Sequence, residues 1–171
     1  VWRQPVFSFA GKYFHVDETV AEPKPVRRPR PPIYAGGESE AAKTLIAQTC
    51  DAYVMHGDPP ERIAPRIAEL ARRRAEAGLP PMEFGMAAYA IVRPTVRVAR
   101  RELERITNVA PGSPGYGNYS DWVANTRLEQ RLSLEDYSVS NRGLRAGLIG
   151  TPEQVADRVR SFAAIGVDLL L

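Results

Sequence analysis

The sequence predicts an α/β fold with a parallel sheet that is covered on both faces. Short apolar runs alternate with amphipathic helical stretches, and helix caps stand at the junctions between them. The string "AQTCDAYVM" is echoed by "AAIGVDLLL": each has a helix end, an Asp and an apolar strand, a βα register typical of a barrel. The 171 residues, 44% hydrophobic and 25% charged, suit one globular domain.

The first two βα units follow from residue 31. "PPIYAG" (31–36) is typical of a strand and 39–48 of a helix with an Ala-rich face. "DAYVMHG" (51–57) predicts the second strand. Asp58 is then expected to be the N-cap of a helix with two prolines in its first turn, which Gly78 ends.

Two further units complete the pattern. "MEFGMAAYAIV" (82–92) predicts one long strand, followed by a helix over 95–107. Near the end, Thr151 is the expected N-cap of a helix that Gly166 ends, and "VDLLL" (167–171) predicts the last strand.

Two segments interrupt this alternation. Residues 1–31 include "FSFAGKYFHV", typical of a β-hairpin centred on Gly11, and continue into a Pro-rich arm. Residues 109–147 form a long connection, Gly- and Pro-rich at first and partly helical later. Connections of this length are usually lids or disordered segments, so an insertion or lid is expected here.

Composition narrows the functional class. The net charge is only +3, and two of the three arginine clusters alternate with Glu on helix faces, which favours a solvated surface over nucleic-acid binding. The absence of a signal peptide and of long apolar runs favours a cytoplasmic protein. Cys50, at a helix end, is expected to be a small buried residue. Two histidines and one cysteine lack the spacing of metal ligands.

The loop "GGES" after the first strand is the candidate anion site. In α/β sheets ligands bind beyond the carboxyl ends of the strands. Gly36 and Gly37 carry no side chain to exclude a phosphate, and the helix starting near Ser39 directs backbone amides toward it. Glu38 would have to point outward. The alternative is a tight turn in which Ser39 caps only its own helix.

Four further side chains are candidates for catalysis. His56 ends the second strand and can exchange a proton near neutral pH, or it simply lines a wall. Tyr89, in the long strand, can donate to a cofactor or substrate oxygen, or it is a core tyrosine. Arg142 and Arg145 follow the long connection and suit sulfonate or phosphate oxygens on a closing lid, or they are surface arginines.

Together, "PPIYAGGES", "GDPPE" and "LIGTPEQVADRV" resemble the bacterial luciferase-like family of flavin-dependent monooxygenases, and within it the alkanesulfonate and dimethylsulfone monooxygenases. The resemblance covers nearly the whole chain and is weakest over 109–140. It implies a (β/α)8 barrel, of which this chain would supply the fifth to eighth strands. We therefore expect a piece of a longer protein, inactive when isolated from the other half of its barrel.

The resemblance also implies a two-component enzyme. A separate NAD(P)H-dependent reductase supplies reduced FMN, dioxygen is the oxidant, and a carbon next to a sulfonate or sulfone is oxygenated so that the C–S bond breaks. The glycine-serine loop of such relatives contacts the FMN phosphate, which carries onto Gly36, Gly37 and Ser39. A homo-oligomer without nucleic-acid or membrane partners is expected.

Three positions depart from the family pattern. Glu38 stands where relatives often have a first serine. Ala87 and Tyr89 stand where alkanesulfonate enzymes carry an arginine and a histidine, which favours a less charged sulfone or another substrate. The lid arginine of the family falls near Arg142 or Arg145. Two alternatives stay open: an F420-dependent oxidoreductase of the same superfamily, and a non-catalytic binding or assembly module.

Overall fold

The computed structural model describes residues 1–108, 110, 112, 114–125 and 142–171, and of Arg142 only the backbone. These residues divide into two compact units, Val1–Ile33 and Tyr34–Leu171. None of the helices within them is both long and apolar enough to span a membrane.

The first unit contains the predicted hairpin. Strand β1 (Phe7–Ala10) pairs antiparallel with β2 (His15–Thr19). The Gly11 amide donates to the Phe14 carbonyl at 2.8 Å and closes the turn, which confirms the hairpin centred on Gly11. The Pro-rich arm that follows contains neither helix nor strand.

The second unit contains the alternating elements and a 3₁₀ turn, Arg142–Ala146. In chain order its regular elements are β3 (Tyr34–Ala35), α1 (Glu40–Thr49), β4 (Ala52–His56), α2 (Pro60–Glu76), β5 (Glu83–Ala87), β6 (Ile91–Val92), α3 (Val96–Thr107), α4 (Pro114–Asn125), β7 (Ile149–Gly150), α5 (Pro152–Ala164) and β8 (Leu169–Leu170). Four strands form a parallel sheet in the order β3-β4-β5-β8, and β6 pairs parallel with β7. The predicted parallel α/β architecture is confirmed.

The starts of α1 and α5 follow the capping residues read from the sequence, and α3 begins at a cap of the same kind. Ser39, Thr95 and Thr151 each accept a hydrogen bond from an amide in the first turn of their own helix, and Thr151 forms a full capping box with Gln154. Gly166 adopts a φ of +94°, which ends α5 as predicted.

One predicted cap is wrong. The N-cap of α2 is Pro59, not Asp58. Asp58 is instead fully buried, and Nη1 of Arg66 lies 3.0 Å from its carboxylate. The sequence pattern fits both arrangements, because an Asp before two prolines satisfies the rule for helix caps whether or not its side chain turns back to the helix.

The single long strand predicted over 82–92 is also wrong. The backbone forms β5, leaves the sheet at residues 88–90, and resumes as β6 in the two-stranded sheet with β7. The Ala88 amide still donates to the Leu171 carbonyl, whereas the Ile91 amide donates to Leu148. A continuous apolar run indicates burial but does not reveal which strand the backbone pairs with.

The long connection is only partly described. Helix α4 lies in its Gly-rich first half, where irregular chain was expected. Residues 109, 111, 113 and 126–141 lie outside the described part, so the prediction of a lid over 109–147 stays a prediction.

The two faces of the sheet have different partners. Tyr53, Met55, Phe84 and Met86 alternate along β4 and β5 and are buried. Ile46 of α1, Ile63 and Leu70 of α2 and Phe162 of α5 supply the other large buried apolar side chains. The intervening residues Val54, His56 and Ala87 are half-buried or exposed on the opposite face. Helices therefore pack on one face. The other face carries the exposed His56 and the half-buried Ala87, so the expected cover on both faces is not found among the described residues.

Candidate functional site

The carboxyl ends of the parallel strands share one edge of the sheet. The loop Gly36–Ser39 follows β3, His56 ends β4 and Ala87 ends β5. His56 and Ala87 are directly paired in the parallel register. The edge at which ligands bind in sheets of this class thus carries the predicted anion loop and one of the predicted catalytic side chains.

Close packing requires the two glycines of the loop. A Cβ on Gly36 would lie 2.7 Å from the carbonyl oxygen of Val54, on the neighbouring strand. A Cβ on Gly37 would lie 2.6 Å from the Cβ of Ala42 in the first turn of α1. Packing alone explains why glycine stands at both positions, and their contact with a phosphate stays a prediction.

Ser39 serves its own helix and remains accessible. Its hydroxyl oxygen accepts a hydrogen bond from the Ala42 amide at 3.2 Å, and its side chain is exposed. The amides of Glu40 and Ala41 precede Ala42 in the first turn, where helix amides have no acceptor within their own helix. The Ser39 hydroxyl proton and two helix amides are therefore available to an anion, although Ser39 also caps α1.

A buried tyrosine fixes the loop. The Tyr53 hydroxyl donates to the Gly37 carbonyl at 3.0 Å, and Tyr53 is only 2% exposed. Burial raises the pKa of its hydroxyl, so Tyr53 stays protonated and keeps donating. Sequence reasoning missed this residue, because an apolar strand with a tyrosine in it gives no signal of a contact 16 residues away.

An ion-pair network surrounds the start of α1. Glu40 pairs with Arg73 at 2.5 Å and with Lys43 at 3.0 Å, and both cations also contact Glu69 on α2. The hydrogen bond from Arg73, followed by that from Lys43, lowers the pKa of Glu40. The negative charge of Glu40, at the first position of α1, is thus compensated by two cations, which reduces its repulsion of an anion at the loop.

Tyr89 does not lie in a strand, contrary to the prediction. It is half-buried in the irregular segment between β5 and β6. His56 lies at the predicted edge and is exposed. In the structure, His56 therefore lies beside Ala87, and Tyr89 lies outside the sheet. The catalytic roles of His56 and Tyr89 stay predictions.

Arg145 contacts a residue that the sequence did not single out for chemistry. Its Nη1 lies 3.9 Å from one carboxylate oxygen of the buried Asp58, whose other oxygen lies 3.0 Å from Arg66. Arg142 starts the same 3₁₀ turn, and its side chain lies outside the described atoms. Asp58 was recognisable as polar at the end of a strand, but its burial depends on tertiary packing.

Comparison with known proteins agrees with this architecture. Residues 1–169 match the family model described as luciferase-like monooxygenase. The chain is 33% identical over 180 residues to an FMNH(2)-dependent dimethylsulfone monooxygenase of Pseudomonas putida, which covers 100% of this chain and 49% of the relative. The chain thus spans about half the length of this curated relative.

Solved structures share the fold. A long-chain alkane monooxygenase (LadA) superposes with a TM-score of 0.67 at 18% identity, over 95% of this chain and 41% of that one. An F420-dependent secondary alcohol dehydrogenase superposes with a TM-score of 0.63 at 18% identity, over 99% of this chain and 50% of that one. The chain is therefore a partial (β/α)8 barrel, as the resemblance implied, and it belongs to the luciferase-like monooxygenase family.

Proposed function

We propose that this chain forms half of the barrel of a two-component monooxygenase that uses reduced FMN and dioxygen to oxidise a small organosulfur compound. The observation that carries the proposal is the 33% identity, over the whole chain, to a relative named as an FMNH(2)-dependent dimethylsulfone monooxygenase. The F420-dependent neighbour is similar at the level of the fold, at 18% identity.

The loop after β3 fits the phosphate end of FMN. Ser39 is exposed and retains a hydroxyl proton, and the amides of Glu40 and Ala41 precede the first capped amide of α1. A helix N-terminus favours an anion through its oriented amides and partial positive charge. Ser39 and these two amides would hold the phosphate, and Tyr53 would hold the loop in place through Gly37.

Bound reduced FMN would supply the electrons that activate dioxygen, and the chain's own residues would orient and shield the reacting groups. His56 is the side chain at this edge that can hold or release a proton near neutral pH. It lies on the sheet face opposite the helices, in register with Ala87. We propose His56 as the proton-exchanging group and retain Tyr89 as a substrate contact from the β5–β6 connection.

The substrate proposal favours a sulfone over an alkanesulfonate. Ala87 adds neither charge nor hydrogen-bond donor beside His56, and Arg145 lies near the buried carboxylate of Asp58. An uncharged sulfone loses less hydration than a sulfonate on entering such a site. Arg142 remains the candidate for contact with a sulfonyl oxygen.

The proposal includes the partners and location implied by a two-component system. A separate NAD(P)H-dependent flavin reductase would supply reduced FMN in the cytoplasm, and the monooxygenase would form a homo-oligomer. The segment 109–147 would act as a lid over the carboxyl edge. Alone, the 171-residue chain would be inactive, because half the length of its curated relative has no counterpart in it.

The test is an assay of the complete translated protein that contains these residues, with reduced FMN, oxygen and a panel of sulfones and alkanesulfonates. Release of methanesulfinate from dimethylsulfone supports the proposal. Turnover only with reduced F420 would replace it with the F420-dependent oxidoreductase, and absence of turnover with either cofactor would favour a non-catalytic module.

A matched pair of variants tests the phosphate loop directly. Ser39→Asp keeps a good helix cap but adds a negative charge where the phosphate would bind, whereas Ser39→Thr keeps cap and hydroxyl. We expect Ser39→Asp to weaken FMN binding at least about tenfold and riboflavin binding little, because riboflavin lacks the phosphate. Equal weakening of both ligands would exclude phosphate contact at this loop.

A further inference from the structure

The carboxylate of Asp58 is the most deeply buried charge among the described residues. It is 0% exposed, and neither of its oxygens accepts a directed hydrogen bond within the described structure. Two guanidinium groups approach it, with Nη1 of Arg66 at 3.0 Å from one oxygen and Nη1 of Arg145 at 3.9 Å from the other. A buried carboxylate depends on such partners, because leaving it uncompensated is costly.

The two cations come from different parts of the chain. Arg66 belongs to α2, which begins two residues after Asp58. Arg145 belongs to the 3₁₀ turn Arg142–Ala146, which is separated from Asp58 by more than 80 residues of sequence. The contact with Arg66 is thus local, whereas the contact with Arg145 joins a distant segment to the carboxyl end of β4.

Two further contacts hold the same turn. A Cβ on Gly57 would lie 2.9 Å from the Cα of Gly143, so the turn packs directly on Gly57, which follows β4. From the other side, Arg158 donates to the Ala146 carbonyl at 2.8 Å. The turn is therefore clamped between the sheet edge and α5, and Asp58 provides the charged contact on the sheet side.

We infer that Asp58 is a positioning residue that latches Arg145, and with it the turn Gly143–Gly147, onto the carboxyl edge of the sheet. The latch itself follows from the geometry of the described residues. Its effect on catalysis rests on the proposed function, because that edge is where the substrate would bind. Asp58 touches no reacting atom and acts through the position of Arg145.

Hydrogen exchange of the complete protein that contains these residues tests the latch without any ligand. In Asp58→Asn the amides of Gly143–Gly147 are expected to exchange about tenfold faster, while those of Tyr53–Met55 in β4 stay within about twofold of the wild type. The Gly147 amide, which donates to the Leu144 carbonyl at 3.0 Å, is the reporter in the turn. Glu69→Gln on α2 is the control, since it disturbs an ion pair away from the turn.

A second variant, Arg145→Gln, allows the test to be made even if Asp58→Asn does not fold. Arg145 is 24% exposed, so Arg145→Gln removes the distant partner and leaves Asp58 with Arg66. The same local acceleration is expected. Equal acceleration in the turn and in β4, or unchanged exchange of the turn in the variant that folds, would refute the latch.

The catalytic consequence has its own readout in the complete protein. Asp58→Asn is expected to raise KM for the sulfone about tenfold and to change kcat less than about threefold, as expected when a group acts on substrate binding through its neighbour. A loss confined to kcat, or unchanged kinetics, would contradict the positioning role. If the wild-type protein has no monooxygenase activity, the proposed function fails while the exchange experiment still decides the latch.

Discussion

Gly36 and Val54 approach so closely that a Cβ on Gly36 would lie 2.7 Å from the Val54 carbonyl oxygen. The partner atom belongs to the backbone of the adjacent strand, so it cannot rotate away as the end of a flexible side chain would. The loop that begins at Gly36 is thus held against β4 at the point where β3 ends, one residue beyond the pairing of Ala35 with Tyr53.

Gly36→Ala should therefore destabilise the protein whether or not FMN binds. We expect the free energy of unfolding to fall by about 1–3 kcal/mol, the usual cost of overpacking. Chemical denaturation without ligand measures the change. Gly117→Ala in α4 is the control: its Cβ would meet open space, and stability should stay constant or rise by up to about 1 kcal/mol. Full stability of Gly36→Ala would show that the loop can move away.

Arg74→Met should be among the most damaging changes of a charged residue. The buried Arg74 guanidinium donates to the carbonyls of Ala47, Cys50 and Pro80. Methionine keeps much of the packing but leaves these acceptors unpaired, so we expect a loss of about 3 kcal/mol in the free energy of unfolding. Arg72→Met, an exposed residue paired with Glu76, should cost no more than about 0.5 kcal/mol. Comparable effects of the two changes would contradict the assignment.

Arg66→Met should expose the dependence of Asp58 on its local partner. Removing one member of a buried pair typically costs about 3–5 kcal/mol, and the partial exposure of Arg66 favours the lower end. The double variant Arg66→Met with Asp58→Asn should recover part of that loss, because the buried charge is gone as well. Chemical denaturation of the two single variants and the double variant gives the free energies of unfolding for a double-mutant cycle. If the losses of the two single variants simply add in the double variant, the two residues are not a coupled pair.

Glu40→Gln should destabilise the protein at neutral pH and not in acid. Arg73 and then Lys43 lower the pKa of Glu40 below its ordinary value of 4.5. A lowered folded-state pKa contributes stability above the unfolded value, and this contribution is lost as the pH falls through the folded value. The difference in midpoint between wild type and variant should thus be present at pH 7 and vanish in strong acid. It should also shrink in an Arg73→Gln background, and a difference independent of pH would contradict this origin.

Rules that depend only on neighbouring residues predicted many of the helix boundaries. The predicted caps Ser39 and Thr151 and the predicted stop at Gly166 are all found in the structure. They were predictable because a cap depends on residues within one helical turn. The buried position of Cys50 was also predicted correctly.

The errors share a different cause. Asp58 was expected to cap a helix and is instead a buried ion-pair partner, and Tyr89 was expected in a strand that the structure divides in two. Both errors concern residues whose surroundings come from a distant segment of the chain. Asp58 lies near Arg145, and the strand after Tyr89 pairs with β7. No pattern of nearby residues carries that information.

By itself, the sequence determined the alternation of strands and helices, the caps Ser39 and Thr151, and the family to which the chain belongs, because apolar periodicity, capping residues and motif strings are local. Only the tertiary structure explains why residue 36 must be glycine. It also shows that Tyr53 holds the loop and that Asp58 joins Arg145 to the sheet edge. These features arise where segments far apart in the chain pack at van der Waals or ion-pair distance, and such contacts exist only once the chain has folded.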